Sequence, residues 1–189
     1  MANQKEHYFA SLTWKLFGNY LITALMCAMV SLIALFFTSS RWVALLVQLL
    51  CCGTVYVMLY TTAWETGGKD GNRVRYGHLK EDPLRGFKAA LLAGLPWLLS
   101  SVGLLLMKAG VLPYDFLAVY RMLNAPYIPI NLILLSTNAT VGELSWLCVA
   151  GSALLPLIAP AIAGFGYALG YREISVMHTL MYHKKKSEA

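Results

Sequence analysis

Between Glu65 and Lys88 the chain reads ETGGKDGNRVRYGHLKEDPLRGFK, a polar interval that holds Lys69, Arg73, Arg75, Lys80, Arg85 and Lys88. Apolar runs of about twenty residues flank it on both sides, and this alternation limits the fold more than any other feature. Wound as a helix at about 1.5 Å per residue, such a run crosses about 30 Å of hydrocarbon. Backbone groups in a bilayer must be bonded within their own segment, so runs of this kind fold as helices. Charged residues are 13% of the chain, against about 25% in a soluble domain. That is too few to cover a soluble surface. The expected fold class is therefore all-α: a polytopic helical membrane protein forming one domain over residues 1–189.

Taken in order, residues 1–15 mix charge with Tyr8, Phe9 and Trp14, as in a short interfacial helix that leads into the first span. Lys5 and Lys15 precede an apolar core, as in a signal peptide. The core from Leu21 to Phe37 is longer than such a region and no A-x-A-like site follows, so a retained helix is expected. The expected spans are about 17–37, 42–64, 86–107 and 146–170, with a tight turn at residues 38–41. Gly67, Gly68, Gly71 and Asn72 are turn formers, so residues 65–85 read as a connecting loop. Asp82 before Pro83 is a helix-start signal, and Pro96 falls where it should kink the third span. Pro156 and Pro160 should bend the last one.

Residues 108–145 are harder to place. Asp115 and Arg121 at the centre of a lipid-facing helix would each cost about 2.5–3.5 kcal/mol. The reading adopted is an interfacial helix from about Tyr114 to Leu123, followed by a proline-broken segment at the surface or re-entrant. A fifth span is the alternative. With four spans, twelve lysines and arginines fall on one side and Arg41, Lys108 and Arg121 on the other. The positive-inside rule then places both termini and the 65–85 loop in the cytoplasm of a plasma membrane, with 108–145 outside. Clustered basic residues beside apolar runs suit the bilayer and its anionic headgroups as partners. No soluble domain exists to present a basic face to nucleic acid.

Asp115, Arg121 and Asn124 are the polar cluster of the ambiguous segment, and ionisable groups at membrane depth are candidates for a substrate or ion path. If the segment rests among headgroups, they are ordinary surface groups. Gly166 and Gly170 have the G-x-x-x-G spacing of close helix packing, within one chain or between copies. The six basic residues of the polar interval form either a small polar site, together with Glu65, Asp70, His78, Glu81 and Asp82, or a solvated connector whose charges set topology. Cys27, Cys51, Cys52 and Cys148 sit within apolar runs as small hydrophobes. Asn138-Ala139-Thr140 matches a glycosylation sequon by spacing alone, and His178 and His183 fall in a basic tail. No catalytic motif, metal-ligand spacing or cofactor fingerprint occurs, so neither an enzyme, a metal nor a cofactor is expected.

The run K-D-x-N-x-V-x-Y-G at Lys69–Gly77, R-G-F-K at Arg85–Lys88 and G-Y-R-E-I-S at Gly170–Ser175 resemble small multi-pass membrane proteins of Gram-positive bacteria, to which no activity is attached. The resemblance implies a bacterial plasma membrane. Two functions are expected on these grounds. The first is a structural or accessory membrane subunit, in a homo-oligomer or a larger membrane complex. The second is a small transporter or channel.

Overall fold

A computed structural model of the chain describes residues 2–37, 41–82, 84–112, 114–135 and 140–173. The fold is all-helical, with no strand among the described residues. Its elements are α1 (Ala2–Phe37), α2 (Arg41–Arg75), α3 (Arg85–Ala93), α4 (Leu95–Lys108), α5 (Leu117–Leu123), a 3-10 turn at Ala125–Tyr127, α6 (Ile128–Leu134), α7 (Trp146–Leu154), a 3-10 turn at Leu155–Leu157, and α8 (Ile158–Tyr171). Pro83, Pro113, Asn138 and Ala139 of the sequon, the turn at 38–40 and the basic tail lie outside the described residues.

Each long helix buries one stripe at helical spacing: Leu12, Leu16, Tyr20 and Cys27 on α1, then Cys51, Val55, Leu59 and Ala63 on α2. These meet Ala89, Ala90 and Ala93 of α3 and Ala159, Ala163 and Tyr167 of α8 in one core. A second core joins Leu104, Leu117, Tyr120, Leu135, Val141 and Val149 across α4 to α7. Trp97 links the two: its ring lies 4.0 Å from that of Tyr20, and its Nε1–H donates to the Leu123 carbonyl at 2.8 Å. The opposite faces of α1 and α2 are also apolar, with Ile22, Leu25, Met26, Met29, Leu46, Leu49 and Leu50 exposed.

The 65–85 interval is the main correction to the sequence reading. Helix α2 runs on to Arg75, so Lys69, Arg73 and Arg75 are helical, Arg85 and Lys88 begin α3, and only Lys80 of the six basic residues lies in the connector. Gly67 and Gly71 are packing residues here and not turn formers. A Cβ on Gly67 would strike the Tyr167 carbonyl, and one on Gly71 would stand 2.6 Å from that of Tyr171. From the other side, a Cβ on Gly166 would stand 2.9 Å from the Tyr60 carbonyl, and one on Gly170 would strike that of Trp64. The two helices therefore run parallel in backbone contact, which offsets the cost of about 1 kcal/mol for each helical glycine. The turn comes at Gly77 (φ +74), where Gly77 N–H bonds Val74 O and His78 N–H bonds Arg73 O, a glycine-terminated helix end.

The expected interfacial piece and first span are one helix, α1. The third span is interrupted at Gly94, with 61° between α3 and α4, and Pro96 sits in the first turn after the break. Asp82 does not cap α3 from the expected position; its carboxylate accepts from Leu84 N–H at 3.2 Å. The segment after Leu123 packs inside the protein: Asn124, Ala125, Pro126 and Tyr127 are all buried. Among the described residues one helix, Trp146–Tyr171, is long and apolar enough to cross a membrane, and the bent α3–α4 pair makes up to two. That is fewer than the four crossings expected from the sequence.

Candidate functional site

Two polar clusters lie inside this apolar frame. The first is built where α2 and α8 end and α3 begins. Asp70 is 2% exposed. Its Oδ1 takes Arg73 Nη1 at 3.0 Å, and its Oδ2 accepts from the Tyr167 hydroxyl at 3.0 Å. Arg85, also buried, brings Nη1 to 3.7 Å of the same oxygen. The i, i+3 spacing of Asp70 and Arg73 follows from α2 continuing as a helix. Around this centre Arg73 covers the Tyr8 ring at 4.3 Å, Arg75 pairs with Glu173 at 3.2 Å, and Lys88 pairs with Asp82 at 3.1 Å. A buried carboxylate met by two guanidiniums and a hydroxyl is a clamp on three helices, since removing the carboxylate breaks all three contacts at once.

The second cluster is neutral. Three interruptions in the helices fall a few residues along the chain from its members: Gly94 ahead of Ser100, the 124–127 turn at Asn124, and the 155–157 turn just after Ser152. A Cβ on Gly94 would stand 3.2 Å from the Pro160 ring. Tyr120 is the hub, with its hydroxyl donating to Ser152 O at 2.6 Å and its carbonyl accepting from Asn124 Nδ2 at 3.1 Å. Asn124 Nδ2 also donates to Ser100 Oγ at 2.8 Å, and Ser100 and Ser101 turn back to the Trp97 carbonyl. On the α2 side, the hydroxyls of Tyr56 and Tyr127 meet at 3.1 Å.

This layer is incompletely satisfied. Among the described residues, Asn131 Nδ2 and Oδ1, Asn124 Oδ1 and Ser152 Oγ have no hydrogen-bond partner, and all three residues are 0% exposed. Asn131 lies beside the Tyr120 hydroxyl. Leaving an amide or hydroxyl buried and unbonded costs about 1–3 kcal/mol by protein substitution data. Amides and hydroxyls grouped in this way suit recognition by hydrogen bonding.

Of the three residues expected to line a path, only Asn124 lies in the layer. Asp115 is exposed and accepts from Leu117 N–H at 2.9 Å. Arg121 is half-buried and reaches the Leu135 carbonyl at 3.4 Å; burial lowers its pKa and the Asp115 carboxylate opposes that. Gly166 and Gly170, on α8, pack against α2 of the same chain. Lys69 and Lys80 are exposed, whereas Arg85 is not, so the polar interval is more than a solvated connector. Sequence reasoning missed Tyr167 and Asn131 as polar-site residues. For Asp70 a signal existed: Gly67-x-x-x-Gly71 repeats the spacing of Gly166-x-x-x-Gly170 and would have extended α2.

Fold and sites together define an all-helical protein with an ionic clamp at one end and a neutral polar layer inside. No family model matches the chain, and no curated protein or solved structure matches it either.

Proposed function

We propose that the chain is an integral protein of a bacterial plasma membrane, with α1, α2, α3–α4 and α7–α8 as four crossings, α5–α6 as a re-entrant segment and both termini cytoplasmic. The exposed apolar side chains of α1 and α2 support this, because an outward face of that kind suits lipid and not water. The ion pairs of Asp70, Arg75 and Lys88 then lie at the cytoplasmic headgroups, with Lys69 and Lys80 free to meet anionic lipid.

Within that frame the reading supported best is a small carrier or channel. One observation carries it: a buried layer of incompletely satisfied amides and hydroxyls, whose members lie a few residues along the chain from helix interruptions. In transport folds, broken helices of this kind build binding sites near the bilayer midplane. The test is flux into vesicles reconstituted with the purified chain. Asn124→Leu should abolish flux with expression and oligomeric state unchanged, while Asp115→Asn, outside the layer, should leave it intact.

An accessory subunit is the second reading. It is favoured by an apolar groove of about 390 Å³ between α1 and the α3–α4 break, lined by Phe9, Trp14, Phe17, Leu92, Leu95 and Pro96. Gly166 and Gly170 are already occupied by α2, so self-association or a partner would use a face such as this one. Co-purification of a second membrane protein, lost on Leu92→Lys, together with no flux of any solute, would favour this reading.

A further inference from the structure

We infer, on the carrier or channel reading above, that the neutral layer takes a small uncharged solute bearing both hydrogen-bond donors and acceptors, and that Asn131 anchors it. The unpartnered atoms set the class. Asn131 Oδ1 and Asn124 Oδ1 call for donors, Asn131 Nδ2 calls for an acceptor, and the Ser152 hydroxyl can meet either. An alkali cation would suit the three oxygens but would meet the Asn131 N–H groups with like-signed charge. An anion would need a guanidinium or ammonium in the layer. Arg121 is directed instead to the Leu135 carbonyl, and Lys108 donates to the carbonyls of Gly142 and Leu144 while covering the Trp146 ring at 5.6 Å. A molecule of the urea or polyol class satisfies both kinds of group at once.

Asn131 owes its position to the chain around it. It lies on α6 just past the 124–127 turn, its carbonyl accepts from Leu135 N–H at 2.8 Å, and its side chain faces the Tyr120 hydroxyl that holds α7 through Ser152. Discrimination by such a site comes from leaving its own polar groups unpaired when a solute lacks their partners. A purely structural Asn131 would behave differently: replaced by leucine, it would relieve a buried unbonded amide and raise thermal stability.

The experiment is solute entry into vesicles containing the purified full chain, followed by light scattering for urea and glycerol and by ion-sensitive dyes for sodium, potassium and phosphate. The expected result is urea or glycerol entry above empty vesicles, reduced about tenfold by Asn131→Leu and by Ser152→Ala, the loss expected for one or two hydrogen bonds. Asp115→Asn should retain it, and each variant is confirmed by helical content and gel-filtration profile. Entry of ions without urea or glycerol overturns the solute class and leaves the carrier reading standing. Entry of uncharged solutes at the wild-type rate in both layer variants overturns the site. No entry of any solute overturns the carrier reading and this inference with it.

Discussion

Asp70 shows how one side chain changes meaning with its neighbours. In a loop it would be one charge among many; buried under Arg85 and Tyr167, it holds three helix ends. Asp70→Ala should cost about 3–5 kcal/mol, because it removes the one carboxylate that two guanidiniums and a buried hydroxyl share. Tyr167→Phe, which removes one hydrogen bond to a carboxylate, should cost about 1.5–3 kcal/mol. The double variant Asp70→Ala/Arg85→Met should lose less than the two single changes added together, since both changes break the same buried ion pair. Thermal unfolding in detergent, followed by circular dichroism, reads all three. A double variant as unstable as the sum would mean that Asp70 and Arg85 act independently.

At the scale of elements, the α2–α8 crossing divides the glycines into two kinds. Gly170→Ala places a methyl against the Trp64 carbonyl, and Gly67→Ala places one against Tyr167. Either should force the helices apart at a cost of about 1–3 kcal/mol. Gly53, on α2 with nothing within 4 Å of its added Cβ, should respond oppositely, and Gly53→Ala should raise stability by about 0.5–1 kcal/mol. Melting temperatures of the three variants give the signs directly. Helix content was legible here, because apolar runs of this length leave the backbone few alternatives. The length of α2 was not, because Gly67, Gly68, Gly71 and Asn72 carry turn propensity and only the opposing backbone of α8 outweighs it. The break at Gly94 was legible in part, since Pro96 marked the region while the packing of Pro160 against Gly94 belongs to another helix.

For the whole molecule, the distribution of charge makes an orientation prediction. In a cysteine-free background, Thr140→Cys should react with an impermeant maleimide added to intact cells, and Lys80→Cys only after the membrane is opened; both positions are exposed. The reverse pattern would invert the orientation. Equal reactivity of both in intact cells would remove the membrane from between them. Of the candidate path, the sequence placed Asn124 correctly near a break but grouped it with Asp115 and Arg121, its neighbours along the chain. In space its partners are Ser100 and Tyr120, and the layer is completed by Asn131 and Ser152.

By itself the sequence determined an all-helical chain and the clustering of its basic residues, because backbone satisfaction in long apolar runs and charge along the chain are local properties. Which polar groups are buried, and against what, was decided only by the tertiary structure. Asp70 meets Tyr167 across 97 residues, and Asn124 reaches Ser100 across 24. Burial of a side chain is a property of the neighbours that displace water from it, and those neighbours come from remote parts of the chain.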